Sequence, residues 1–144
     1  MSLIKTCFKP LSLSTSASTA LLILRLIAGV AFIIHGWGKI QNPMGWMPPE
    51  SGVPGFLQLL AAVAEFGGGI AWIIGLLTPL ASVGMFFTMV VATLFHAVLL
   101  KDPFVSQGGG SYELALLYTG ISVLFFFAGP GKFSADRFIF GTRS

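Results

Sequence analysis

The chain has 144 residues, of which 55% are hydrophobic and only 9% are charged. Its mean hydropathy of +0.89 is typical of an integral membrane protein rather than a soluble domain. The single cysteine, Cys7, excludes an internal disulfide, a paired-cysteine redox motif and a thiolate metal cluster. The net charge of +3 does not indicate nucleic-acid binding, because the basic residues lie at the termini and at helix ends and form no patch.

Four apolar runs follow a Ser/Thr-rich segment at residues 1–18, and the sequence predicts a helix in each: about 19–40, 55–77, 80–100 and 112–128. At a rise of about 1.5 Å per residue each helix could cross a hydrocarbon layer of about 30 Å, the fourth only just. Strict strand alternation is absent. We therefore predict an all-α integral membrane four-helix bundle over residues 19–129. Residues 130–144 are predicted to be an interfacial tail, with Ser134 capping a short amphipathic segment.

Charge at the two ends of the chain predicts the orientation of the bundle. Five of the eight basic residues lie in the terminal segments, namely Lys5, Lys9, Lys132, Arg137 and Arg143. Positive residues flanking membrane helices favour the cytoplasm, so both termini are expected to be cytoplasmic. A cleaved signal peptide would require an apolar core after the first lysines, and the sequence has none there. A Ser/Thr-rich start without acidic residues is also typical of a transit peptide.

Two charged residues are predicted to lie deep in the membrane. Arg25 is ten residues before His35, and Glu65 is eleven residues after Pro54, which gives both a depth of about 15 Å at helical rise. Charges are costly in hydrocarbon unless they are paired, so we predict a buried ion pair between Arg25 and Glu65. A structural role in fixing helix register and a role in proton handling beside a ligand both remain open for this pair.

A second polar group is predicted near the outer ends of the helices. It comprises His35, Lys39, His96 and Glu113. Imidazole and carboxylic acid groups suit the hydrogen bonding of a quinone or another oxygen-rich ligand. A transition-metal site is less favoured because no two ligands share a metal-binding spacing, and so we predict none. The alternative is that these side chains only bond to loops and lipid head groups.

Small residues in the second helix predict close packing with a neighbouring helix. Gly67, Ala71 and Gly75 recur every four residues, the spacing that lets helix backbones approach each other in membranes.

Five segments together resemble the DoxX family of small four-helix membrane proteins. They are RLIAGVAFIIHGWGK at 25–39, AEFGGGIAWIIGLLT at 64–78, TLFHAV at 93–98, YELALLY at 112–118 and GPGKFSADR at 129–137. The resemblance implies a bacterial inner-membrane protein linked to an oxidoreductase that uses quinone. It specifies fold better than activity, and catalytic residues stay unassigned.

From these observations we expect an inner-membrane subunit or accessory protein of a quinone-linked redox system, at most one subunit of a membrane oxidoreductase. No haem ligand pair, flavin motif or iron–sulfur cysteine set occurs, so we expect no intrinsic cofactor, only a bound quinone or lipid. Expected partners are membrane lipids with other membrane subunits or further copies of the chain, and no nucleic acid. The alternative function is a non-catalytic structural subunit of a respiratory or photosynthetic complex. A small-solute transporter is disfavoured, since the paired discontinuous helices common in transporters are absent.

Overall fold

The computed structural model describes residues 8–142, so Lys5, Cys7 and Arg143 lie outside the described residues. This region folds into five α-helices: α1 (Thr15–Gln41), α2 (Gly55–Ile74), α3 (Thr78–Leu94), α4 (Glu113–Ala128) and α5 (Ala135–Phe140). The α3 helix continues as a π-helix over Phe95–Leu99, and a short 3₁₀ turn occupies Pro49–Ser51. The predicted all-α fold class is therefore confirmed.

Local sequence signals explain where the helices begin and end. Ser14 caps α1, because its side-chain oxygen accepts a hydrogen bond from the Ala17 N–H at 3.1 Å. Gly75 ends α2 in the left-handed conformation, with φ of 70°. The predicted cap at Ser134 is confirmed, since its side chain accepts a hydrogen bond from the Arg137 N–H at 3.3 Å. The first helix begins at Thr15, four residues earlier than predicted.

Three helical segments are long and apolar enough to cross a membrane. They are Thr15–Gln41, Gly55–Ile74 and Thr78–Leu99, the last of which combines α3 with its π-helical extension. The α4 helix is also apolar but has only 16 residues. A multi-pass membrane protein therefore follows from three of the four long helices, whereas the crossing of the fourth remains a prediction.

Consecutive long helices pack against each other, α1 with α2, α2 with α3, and α3 with α4. The first two helices run antiparallel, because Gly29 of α1 lies against Gly69 of α2 and Gly36, further along α1, lies against Phe66. We call the end where α1 and α3 finish the histidine end, and the opposite end, which holds α5, the tail end. Between them lies an aromatic core in which Trp72 contacts both Phe32 and Phe125 edge-on, with ring centroids 5.5 and 4.9 Å apart.

Glycines bring α1 and α2 into backbone contact, but not the glycines predicted. A Cβ atom at Gly29 would lie 2.7 Å from the Gly69 carbonyl oxygen, and one at Gly36 would lie 2.5 Å from the Phe66 nitrogen. The prediction for Gly67 is wrong, because Gly67 is exposed and faces no neighbouring helix within residues 8–142. Gly75 ends α2 and Ala71 is only half-buried. The glycines at the interface, Gly29 and Gly36 on α1 and Gly69 on α2, do not belong to the four-residue repeat on which the prediction was based.

Candidate functional site

A cavity of about 250 Å³ lies at the histidine end, between all four long helices. Its polar lining residues are His35, Lys39, Glu65, His96, Ser111 and Tyr118, and its apolar lining residues are Phe32, Met89, Ala92, Leu114 and Ala115. The structure thus brings together three residues of the predicted polar group and adds Glu65 from α2. A few convergent polar groups in a mainly apolar pocket are typical of a small-molecule site.

A salt bridge in the cavity joins Lys39 on α1 to Glu65 on α2. The Lys39 Nζ donates to Glu65 Oε1 at 2.6 Å, and the Glu65 side chain is only 4% exposed. Lys39 Nζ also lies 4.5 Å from the centre of the Trp46 ring, an arrangement that favours a cation. Trp46 is held in turn, because its Nε1 donates to the Gln58 carbonyl oxygen at 3.0 Å. The loop between α1 and α2 therefore helps to fix the charged pair.

The second carboxylate oxygen of Glu65 is unusual. Glu65 Oε2 is buried, yet it has no hydrogen-bond partner within residues 8–142. A buried polar atom without a partner costs about 1–3 kcal/mol, and such atoms are rare in folded proteins. Glu65 also lines the cavity, although Oε2 itself is not exposed to it.

His96 is oriented by an acid that the sequence analysis missed. Its Nδ1 lies 2.7 Å from Asp102 Oδ2, and the Asp102 N–H donates to the His96 carbonyl oxygen at 2.9 Å. An ionised carboxylate can only accept, so Nδ1 donates in this contact, and Nε2 is the ring nitrogen left for another partner. His96 lies in the π-helical segment Phe95–Leu99, a distortion that is frequent at functional sites.

The remaining two members of the predicted polar group differ in position. His35 lies at the cavity but is exposed, which makes it a rim residue. Glu113 is exposed at the first position of α4 and does not line the cavity, so the prediction that it joins the site is wrong. The acid of the cavity is Glu65, which lies one helix away and deeper.

The predicted ion pair between Arg25 and Glu65 does not form. The depth estimate measured Arg25 from His35, but α1 continues past His35 to Gln41. Arg25 lies 16 residues before that end, whereas Glu65 lies ten residues after the start of α2. The difference of six residues corresponds to about 9 Å at helical rise. Glu65 therefore meets Lys39, and Arg25 lies beside the last turn of α2.

Arg25 is fully buried and donates to four backbone carbonyl oxygens at the tail end. Its acceptors are Trp72 at 2.6 Å, Pro130 at 2.7 Å, Ile73 at 2.8 Å and Phe133 at 3.0 Å. Two of these carbonyls belong to the final turn of α2, where helical hydrogen bonding leaves acceptors without partners. The arginine thus joins the end of α2 to the segment between α4 and α5, which is a structural role.

No cluster of three or more His, Cys, Asp or Glu side chains that could hold a metal ion occurs in the part of the chain that the structure describes. The polar groups of the cavity instead suit hydrogen bonding, with Lys39 as a donor, Glu65 as an acceptor and His96 as a ring that can serve in either role. This arrangement can orient a small polar ring and stabilise its oxygen substituents.

Comparison with known proteins supports the membrane assignment. The DoxX family model matches residues 20–97. The inner membrane protein YqjF of Escherichia coli is 35% identical over 125 residues, covering 82% of this chain and 90% of that protein. The protein named "Putative oxidoreductase CatD" in Bacillus subtilis is 31% identical over 121 residues, covering 83% of this chain and 86% of that one. No solved structure gives a significant match.

These matches agree with the resemblance that the five sequence segments indicated. The predicted location in the bacterial inner membrane is confirmed by the similarity to YqjF together with the three apolar helices. The family match covers more than half of the chain and includes Arg25, His35, Lys39, Glu65 and His96. The chain belongs to the DoxX family.

Proposed function

We propose that the chain is an accessory subunit of a quinone-linked redox system in the inner membrane, and that its cavity binds the ring of a quinone or quinol. The observation that carries the proposal is the convergence of Lys39, Glu65 and His96 on one cavity. In this proposal a partner subunit supplies the redox cofactor. The oxidoreductase name of the Bacillus subtilis relative supports a redox role at the level of the family only.

The size and walls of the cavity support a ring as its occupant. A cavity of about 150 Å³ lined by apolar side chains can hold benzene. The cavity here measures about 250 Å³, which suits a single substituted ring. Phe32, Met89 and Leu114 supply apolar surface for the ring, while the polar residues supply hydrogen bonds to its oxygen substituents.

The orientation in the membrane is also part of the proposal. All four long helices cross the membrane with both termini in the cytoplasm, which puts the cavity near the outer surface. The composition of α5 supports a cytoplasmic interfacial position for the tail end. Phe138 is 93% exposed and Ile139 is also exposed, while Arg137 and Lys132 lie close by in the sequence. Exposed apolar side chains beside basic ones suit the boundary between acyl chains and anionic head groups.

A second candidate function is that of a structural subunit that stabilises a larger membrane complex. It is favoured by an apolar groove of about 270 Å³ between α3 and α4, lined in part by Phe86, Phe87, Phe126 and Phe127. An aromatic groove of this kind suits contact with a helix of a partner subunit or of a second copy of the chain. This function does not require the cavity at the histidine end to bind anything.

The molecules that copurify with the full chain in a mild detergent distinguish the two candidate functions. A quinone-linked subunit retains quinone in the organic extract, and Lys39→Met reduces the amount retained. Glu113→Gln serves as the matched control, because Glu113 is charged but does not line the cavity. Equal retention in wild type, Lys39→Met and the control, or none in any of them, would favour the structural subunit.

A further inference from the structure

The seam between α1 and α4 is the least tightly packed side of the bundle in the part of the chain that the structure describes. The two helices are antiparallel neighbours, because the Leu11 N–H, just before α1, donates to the carbonyl oxygen of Ala128, the last residue of α4, at 3.4 Å. Nearer the histidine end, Phe32 contacts Tyr118 with ring centroids 4.6 Å apart. Each pair of consecutive long helices packs closely, whereas α1 and α4 approach each other closely at few positions within residues 8–142.

On α1, the row of side chains that includes Phe32 changes from buried to exposed toward the histidine end. Ala28 and Phe32 are each only 1% exposed. His35 continues this row at helical spacing, yet it is exposed. The next residue, Gly36, is buried where it meets the backbone of Phe66 on α2. The exposure of His35 therefore marks a gap on the side of α1 away from α2, and α1 and α2 remain packed at the same level.

The facing row on α4 changes in the same direction. Phe125 is fully buried, Tyr118 is half-buried, and Leu114 is 50% exposed. These three residues share one face of the helix, since they are separated by four and seven positions. Leu114 and His35 each lie about one turn beyond the contact of Tyr118 with Phe32, and both line the cavity. We call the opening between His35 and Leu114 the portal.

Loops cover the polar groups of the cavity on the side where α1 and α3 finish. The Trp46 ring lies over Lys39, with Nζ 4.5 Å from the ring centre. The loop after the π-helix holds Asp102 against His96 Nδ1 at 2.7 Å, and Gly110 packs so closely on the Asp102 carboxylate that a Cβ atom would not fit. These contacts make the portal the more open approach to the cavity.

The surroundings of the portal suit lipid. Ile34 beside His35 and Leu117 beyond Leu114 are exposed apolar side chains. His35 is six residues before Gln41, the end of α1, which puts it about 9 Å along the helix from that end. If α1 and α4 cross the membrane as proposed, the portal faces acyl chains.

We propose that the cavity is reached from the lipid through the portal, and that its ligand is an amphiphile with a polar ring and a long apolar chain. The ring lies in the cavity, and the chain passes between His35 and Leu114 into the membrane. This inference rests on the proposed function for the ring and for the crossing of α1 and α4. A chain that left through the loops would bring apolar surface into water, whereas the portal keeps that surface among acyl chains.

Two probes with the same quinone ring test the inference, one with a long saturated chain and one with a methyl group in its place. Their equilibrium binding to the full chain in phospholipid nanodiscs is compared between wild type and Leu114→Trp, which narrows the portal. Each probe is compared only with itself, so its partition into lipid cancels. We expect Leu114→Trp to weaken the long-chain probe at least about tenfold and the methyl probe less than about twofold, because overpacking falls on the chain. The matched control is Leu117→Trp, which should change neither, since Leu117 is exposed on α4 and does not line the cavity.

The path of the chain is measured directly on the wild-type protein, which keeps the inference testable if Leu114→Trp does not fold. A probe that carries a photoreactive group in the chain, close to the ring, is crosslinked in the same nanodiscs, and the labelled residues are identified by mass spectrometry. We expect labelling at the portal and on its lipid-facing side, at Ile34, Leu114 and Leu117.

The outcomes distinguish this inference from the proposed function. If the two probes respond equally to a folded Leu114→Trp, or if the chain labels loop residues 42–54 or 100–111, access from the lipid is overturned while a ring-binding cavity stands. If neither probe binds to the wild-type chain, the proposed function fails, and this inference fails with it.

Discussion

Asp136 on α5 caps the helix that begins at Thr78, since its Oδ2 accepts a hydrogen bond from the Thr78 N–H at 2.8 Å. Its other oxygen accepts from the Leu77 N–H at 2.6 Å, and the Asp136 N–H donates to the Gly75 carbonyl oxygen at 2.8 Å. Asp136 is fully buried. Hydrogen bonds of Asp136 therefore attach α5 to the turn between α2 and α3.

Replacing Asp136 by Ala should destabilise the protein. The change removes both acceptors for the first N–H groups of α3, and loss of a helix cap costs about 0.5–2 kcal/mol. Burial of the freed N–H groups should bring the loss to the upper part of this range. Asp136→Asn keeps one oxygen acceptor and should lose less. Unfolding of the two variants and wild type in mixed detergent measures the difference, and equal stability of Asp136→Ala and wild type would contradict the capping role.

Replacing Arg25 by Met should cost at least about 3 kcal/mol, because several buried carbonyl groups lose their donor at about 1–3 kcal/mol each. Arg25→Lys keeps a positive charge and part of the hydrogen bonding, so its loss should be intermediate. The midpoint of unfolding in the same detergent mixture tests the order. A fully stable Arg25→Met variant would argue against the four-carbonyl arrangement.

The sequence allowed some features to be predicted and concealed others. Hydropathy was sufficient to predict an all-helical membrane protein. The cap at Ser134 could be predicted because helix capping involves residues that are close in the sequence. To predict the partners of Arg25 and Glu65, the alignment of α1 against α2 must be known. A depth counted from His35 does not give that alignment, because α1 continues to Gln41. Asp102 was missed because the loop after the π-helix folds it back onto His96, and Asp136 was missed because its partners, Leu77 and Thr78, are distant in the sequence. Such contacts have no periodicity in the sequence and depend on the tertiary fold.

Double-mutant cycles should identify Lys39, and not Arg25, as the partner of Glu65. Residues in direct contact show coupling energies of about 0.5–3 kcal/mol, whereas distant residues are additive within about 0.5 kcal/mol. Lys39→Met combined with Glu65→Gln should therefore cost less than the sum of the single changes. The corresponding cycle of Arg25→Lys with Glu65→Gln should be additive, and strong coupling there would restore the ion pair rejected above.

The proposed topology predicts that Cys7, the single cysteine of the sequence, is cytoplasmic. A membrane-impermeant maleimide added to intact spheroplasts should leave it unlabelled, and permeabilisation should then allow labelling. An engineered cysteine at Gly108, in the exposed loop before α4, is the matched control and should label from outside. Labelling of Cys7 in intact spheroplasts would reverse the orientation and put the cavity near the cytoplasmic surface.

The position of a bound quinone ring tests the proposed function most directly. A photoreactive quinone can be crosslinked to the full chain in native membranes, and the labelled peptides can be mapped by mass spectrometry. We predict labelling of the cavity residues, such as Phe32, Leu114 and Tyr118, and its suppression by excess unlabelled quinol. Labelling confined to the apolar groove around Phe87 and Phe127, without suppression by the competitor, would contradict the account.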